Sequence, residues 1–174
     1  MRGHLIHLVC GSTGAGKTTY SRQLADALSG VVFSVDQWMA TLFWIDSPKP
    51  LQAAWSMERV ERCAAQIWAT ASEVAPLGVP CVLDLGFTQR GTRARFVQLA
   101  RQSGLSAQLH VLDVPTDERW RRVLARNTSG GTAAQLPFDL TRDMFDFVET
   151  LWEPPTDEEL AACDGIRAAG PAPG

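Results

Sequence analysis

Short apolar runs alternate with longer amphipathic stretches along these 174 residues, and that alternation argues for an α/β fold. Leu5 to Cys10 is a compact apolar run ending in a glycine-rich turn, and Lys17 to Leu28 then places apolar residues at helical spacing before Ser29-Gly30 stops it. Val31 to Val35, Val79 to Leu83 and Ala107 to Leu112 have the length and apolar content of buried strands. Helical patterns lie between them, so the sheet they predict is parallel and covered on both faces. The longest helical pattern runs from Leu51 to Val74, after a Ser47-Pro48-Lys49-Pro50 loop. Arg90 to Arg101 and Thr116 to Asn127 predict shorter helices, and Leu140 to Trp152 a further one that Pro154-Pro155 halts.

Thr156 and Glu159 have capping-box spacing, Gly165 to Ala168 predicts a last short strand, and residues 169–174 a frayed tail. Thr128-Ser129-Gly130-Gly131-Thr132 reads as a hinge. A single domain over residues 1–168 is expected. Within it, residues 37–75 form a helical segment placed to cover an acceptor, and residues 126–139 form a short lid.

Composition narrows the class. Hydrophobic residues make up 45% of the chain, enough for a packed core and too many for disorder. No apolar run approaches the roughly 20 residues needed to span a bilayer, and the N-terminus lacks the layout of a signal peptide, so a cytoplasmic protein without a membrane partner is expected. The net charge of −3 gives no global basic footprint for nucleic acid, which stays possible as a partner without being favoured. Fourteen arginines accompany only two lysines, so Lys17 stands nearly alone. The four cysteines are widely spaced with no CxxC pair and read as small hydrophobes.

Gly11-Ser12-Thr13-Gly14-Ala15-Gly16-Lys17-Thr18 matches GxxxxGK[ST] between a predicted strand and a predicted helix, the context that gives the pattern its meaning. Backbone N–H groups must wrap closely around phosphates, and the glycines remove side chains that would obstruct them. Lys17 is placed for the β- and γ-phosphates, the Thr18 hydroxyl for Mg²⁺, and Thr19 for an α-phosphate oxygen. Nucleotide, expected to be ATP, would bind along Gly11 to Thr19.

In an open parallel sheet ligands bind beyond the carboxyl ends of the strands, where Asp36, Asp84 and Asp113 fall. Asp36, in Ser34-Val35-Asp36-Gln37-Trp38, is the candidate general base for an acceptor hydroxyl; its structural alternative is a helix N-cap. Asp84, in Val82-Leu83-Asp84-Leu85-Gly86, has the form of a Walker B acid that would hold Mg²⁺, and its alternative is a turn aspartate before Gly86. Asp113 reads as a loop residue. Arg119, Arg122 and Arg126 form one helical stripe, with Trp120, Val123 and Leu124 turned towards the core. A cationic stripe leading into a glycine hinge suits a lid that brings a guanidinium to the transferring group, and Arg126 is the best single choice. Trp38 is a candidate acceptor contact, with core packing as the alternative. His4, His7 and His110 are expected to be packed.

On Gly11 to Thr18, Ser34 to Trp38, Asp84 and the Arg119 to Arg126 helix, the chain resembles the small P-loop kinases of the AAA-domain group, which are related to polynucleotide kinase, chloramphenicol phosphotransferase, zeta toxins and gluconate kinase. The resemblance runs from Leu5 to about Pro155. It implies a three-layer, nucleoside-kinase-like sandwich with a five-stranded parallel sheet, the P-loop strand central and a short lid. It implies too that Asp36 orients an acceptor hydroxyl and that Arg122 and Arg126 contact phosphates.

The chain is too short for the extra helical domain of a ring ATPase. It lacks the [NT]KxD that would read guanine, and Asp84-Leu85-Gly86-Phe87 is not DxxG, which disfavours a GTPase. The expected activity is therefore Mg²⁺-dependent transfer of the ATP γ-phosphoryl group to a hydroxyl of a small molecule such as a sugar, nucleoside or antibiotic. A polynucleotide 5′-hydroxyl kinase is the alternative within catalysis, although Gln37 to Met57 carries one cation, Lys49. A non-catalytic ATP-binding regulatory module is the other; Lys17, Thr18 and Asp36 together argue against it.

Overall fold

Strand β1 (Leu5–Cys10) is buried almost throughout, and a strand apolar on both faces needs cover on both. The computed structural model describes residues 5–128 and 139–171 and provides that cover. Five parallel strands form one sheet in the order β2-β3-β1-β4-β5, where β2 is Val31–Ser34, β3 is Cys81–Asp84, β4 is Ser106–Leu112 and β5 is Ile166–Ala168. Central β1 aligns Leu8 with Leu83 of β3 and Leu109 of β4. Alternate residues of β1 supply two cores. Ile6, Leu8 and Cys10 pack with Ile67 and Phe96 on one face, while Val9 packs with Ala25, Val82 and Leu112 on the other. Full burial of a side chain such as Leu8 contributes roughly 1.5–3 kcal/mol.

The helices are α1 (Lys17–Leu28), α2 (Val35–Leu42), α3 (Ala53–Val74), α4 (Arg90–Gln102), α5 (Thr116–Thr128), α6 (Arg142–Leu151) and α7 (Asp157–Ala161). Several boundaries differ from the sequence reading, each for a local reason. β2 ends at Ser34 because its hydroxyl accepts from the Gln37 N–H at 3.4 Å and caps α2, so Val35 is helical. β3 starts at Cys81, since Pro80 has no N–H to give a ladder, and it includes Asp84, aligned with Ser34. α6 starts after Thr141, whose Oγ1 accepts from Met144 N at 3.3 Å, rather than at Leu140. The capping box at Thr156 and Glu159 is present. Leu124 is exposed, not a core residue; Val123 and Phe145 join α5 to α6 with Trp120 packed against them. The hinge and lid expected over residues 126–139 fall largely on residues 129–138, outside the described residues, as do 172–174 of the expected tail. No helix among the described residues is long and apolar enough to cross a membrane.

Two buried histidines join β1, β4 and α1. His7 Nδ1 lies 2.9 Å from His110 Nε2, and His110 Nδ1 lies 2.8 Å from the Tyr20 hydroxyl. Burial lowers both imidazoles from their ordinary 6.5, and burial together with His7 takes His110 down to about 4. The folded state thus binds fewer protons than the unfolded one as pH falls from about 6.5 towards about 4; their contribution is complete above that window and lost through it. Melting temperature should drop by several degrees between pH 7.5 and pH 5, and more steeply than in His110→Gln. Parallel curves for the two proteins would show that His110 is not held neutral.

Candidate active site

The site grows from the turn between β1 and α1. Gly14 and Gly16 take φ of 80° and 90°, a region costly for residues with a Cβ, and a Cβ on Gly14 would meet the Arg119 carbonyl oxygen at 2.5 Å. The glycines therefore serve close packing against α5. Lys17 Nζ donates to Gly11 O at 2.9 Å and Ser12 O at 3.2 Å, which places the ammonium over the loop. Burial lowers the Lys17 pKa, opposed by the Asp84 and Asp36 carboxylates. Thr19 is exposed beside it.

Because β3 is the neighbour of β1, its last residue reaches the start of α1. The Thr18 hydroxyl donates to Asp84 Oδ2 at 2.8 Å. Asp84 is buried, and burial raises its carboxyl above the usual range against the pull of Lys17, the Thr18 bond and Arg22. A strand-end carboxylate bonded to the phosphate-loop hydroxyl is more than a turn residue. Hard oxygen donors on one buried spot suit Mg²⁺, which usually takes one or two protein oxygens and completes its shell with phosphates and water. Thr18 and Asp84 therefore fit that ion.

Asp36 lies in the first turn of α2, and the cap that the sequence could have assigned to it belongs to Ser34. Its residue is open to solvent, yet burial is the largest cause raising its carboxyl, followed by Asp84, while Lys17 and Arg126 lower it. Asp36, Asp84, Lys17 and Arg126 thus share one electrostatic neighbourhood. Trp38 is half-buried and packs against the main core.

The arginine stripe splits. Arg126 is half-buried on the Asp36 side. Arg122 turns to the phosphate loop, giving Nη1 to Ala15 O at 3.3 Å and Nη2 to Glu118. Gly170 and Pro171, expected in a frayed tail, sit on Ala15 and Gly16 beside the same guanidinium. Arg119 does not belong to a solvated cationic face: it is buried and holds Glu149 with bonds of 2.6 and 2.5 Å. No local pattern in the sequence marks Glu149; the structure places it with Phe145, four residues earlier, against Arg119, whose guanidinium carbon lies 5.5 Å from the Phe145 ring. Arg93, also buried, pairs with Glu159 at 3.0 Å and bonds the Phe87 and Thr88 carbonyls, fixing the loop after Asp84.

The family model described as the AAA domain matches residues 6–151. The chain belongs to that family. No curated protein matches the sequence. Among solved structures, this AAA-domain chain is similar to Kti12 of Chaetomium thermophilum in complex with ADP-AlF3, at 16% identity over 94% of this chain and 88% of that one, with a TM-score of 0.68. A gluconokinase of Sinorhizobium meliloti 1021 aligns at 15% identity over 99% and 86% of the two chains, TM-score 0.62. A chain of the Pnkp1/Rnl/Hen1 RNA repair complex aligns at 17% over 87% of this chain, TM-score 0.67, and this chain spans 44% of its length. These likenesses establish a P-loop kinase-like fold, and a P-loop of this form implies nucleotide binding.

Proposed function

We propose that this AAA-domain chain is an ATP-dependent kinase that moves the γ-phosphoryl group to a hydroxyl of a small molecule. The observation that carries the reading is Asp36: relieved of capping by Ser34, it faces the neighbourhood of Lys17, Asp84 and Arg126. A module that only bound nucleotide would have no use for an acid among these groups.

In this reading the phosphate loop from Gly11 to Gly16 cradles the phosphates, Lys17 neutralises charge on the β- and γ-groups, and Thr19 meets the α-phosphate. Thr18 and Asp84 hold Mg²⁺, which supplies charge neutralisation on the phosphate oxygens when bound. Asp36 takes the proton of the acceptor hydroxyl as its oxygen attacks the γ-phosphorus. The bond from that phosphorus to the β-phosphate oxygen breaks, and ADP leaves. Arg126 stabilises charge on the transferring group. Arg122, with Gly170 and Pro171 beside it, borders the nucleotide near Gly16. The segment 37–75 covers the acceptor, with Trp38 as its contact beside Asp36.

A stabilisation screen tests the acceptor class. With saturating Mg²⁺ and a non-hydrolysable ATP analogue, a sugar, nucleoside or antibiotic at about 100 times its Kd should add about 2.7 kcal/mol, or roughly 5–10 °C in Tm. A shift from a 5′-hydroxyl oligonucleotide alone would instead assign a polynucleotide acceptor. A shift with the analogue and none with any hydroxyl compound would favour a regulatory module.

A further inference from the structure

Arg119 and Glu149 form a junction that the kinase reading does not use. The Arg119 guanidinium spends all five N–H donors inside the protein. Nε bonds Val114 O at 2.9 Å, Nη1 bonds Thr13 O at 3.2 Å and Glu149 Oε1 at 2.6 Å, and Nη2 bonds Thr116 Oγ1 at 3.0 Å and Glu149 Oε2 at 2.5 Å. None remains for a phosphate. Glu149 accepts a further hydrogen bond at Oε1, from the Ser12 hydroxyl.

Ser12 and Thr13 are the second and third residues of the phosphate loop. The junction therefore grips the loop by one side chain and one carbonyl, while Lys17 grips it from within through Gly11 O and Ser12 O. The Arg119 side chain is 6% exposed and that of Glu149 23%, so solvent screens this pair poorly. A full positive and a full negative charge thus stand against a loop whose task is to attract anions.

We propose that Arg119 and Glu149 are positioning residues forming a charge-balanced latch, in which Glu149 fixes the loop through Ser12 and cancels the guanidinium, so that the pair sets the affinity of the loop for phosphates. The proposal rests on the phosphate-binding reading of the loop. It gives the two single variants opposite signs. Arg119→Gln leaves the Glu149 charge uncompensated beside the loop and repels phosphates. Glu149→Gln keeps size and an acceptor oxygen while leaving the Arg119 charge to attract them. A mere structural brace would give both variants the same sign, lowering Tm and leaving the affinity of the folded protein alone.

The test is calorimetric titration of the full chain with inorganic triphosphate at low and high salt, with Tm measured on each sample. Glu149→Gln should bind triphosphate roughly threefold more tightly than the parent and Arg119→Gln about tenfold more weakly, with both differences shrinking at high salt. If Arg119→Gln does not fold, Glu149→Gln decides alone. Unchanged or weaker binding by folded Glu149→Gln overturns the latch. Failure of the folded parent to bind triphosphate would instead overturn the nucleotide-binding reading, and the latch with it.

Discussion

Asp36→Asn should lower phosphoryl transfer to the acceptor by roughly 10² to 10⁴ while leaving the binding of ATP analogues close to that of the parent. The substitution keeps the size of the side chain and removes the charge. The structure also removes the complication that a sequence reading carries: the cap of α2 is Ser34, so no capping hydrogen bond is lost. Two small terms oppose each other in stability. An acid in the first turn of a helix contributes about 0.3–1 kcal/mol through the helix dipole. Its loss is offset because the substitution removes a carboxylate whose charge is disfavoured first by burial and then by Asp84. The variant should therefore melt within a few degrees of the parent. Transfer within about threefold of the parent rate would eliminate Asp36 as the base and move attention to Asp84.

Lys17→Ala should abolish ATP turnover, a loss on the order of 10³ or more, because no other side chain replaces its charge at the β- and γ-phosphates. The fold should persist. The ammonium gives its hydrogen bonds to two carbonyls of its own loop. The loop is also held from outside by Arg119 and Glu149. Turnover and calorimetry matching the parent would show that the loop does not handle phosphates.

The elements most legible in the sequence are those whose signals are local. Leu5 to Cys10 and Lys17 to Leu28 coincide with β1 and α1, because an apolar run, a glycine turn and a Ser29-Gly30 stop lie side by side in the chain. The capping box at Thr156 is likewise a four-residue signal. The turn after β1 and the placement of Asp84 and Asp36 at or just past the ends of β3 and β2 are legible for the same reason, each falling next to its strand.

Less legible are features that depend on which side chain reaches across the fold. At Ser34 and Asp36 two capping residues compete within three positions, and only the backbone path decides between them. Arg119 and Arg126 look alike on a helical stripe, yet one meets Glu149, thirty residues on, and the other is near enough to Asp36 to lower its carboxyl. Periodicity names a face of a helix, not its neighbour. The tail suffers most: Gly170-Pro171 has the composition of a frayed end but packs on Ala15 and Gly16.

The most direct test of the kinase account follows the phosphoryl group itself. The parent protein is given Mg²⁺ and ATP labelled at the γ-position with the hydroxyl compound that stabilises it best, and the products are separated. The account predicts label in a phosphate ester of that compound, formed in step with ADP and strongly reduced in Asp36→Asn. Label found only in inorganic phosphate, at a rate indifferent to the compound and to Asp36, would contradict it.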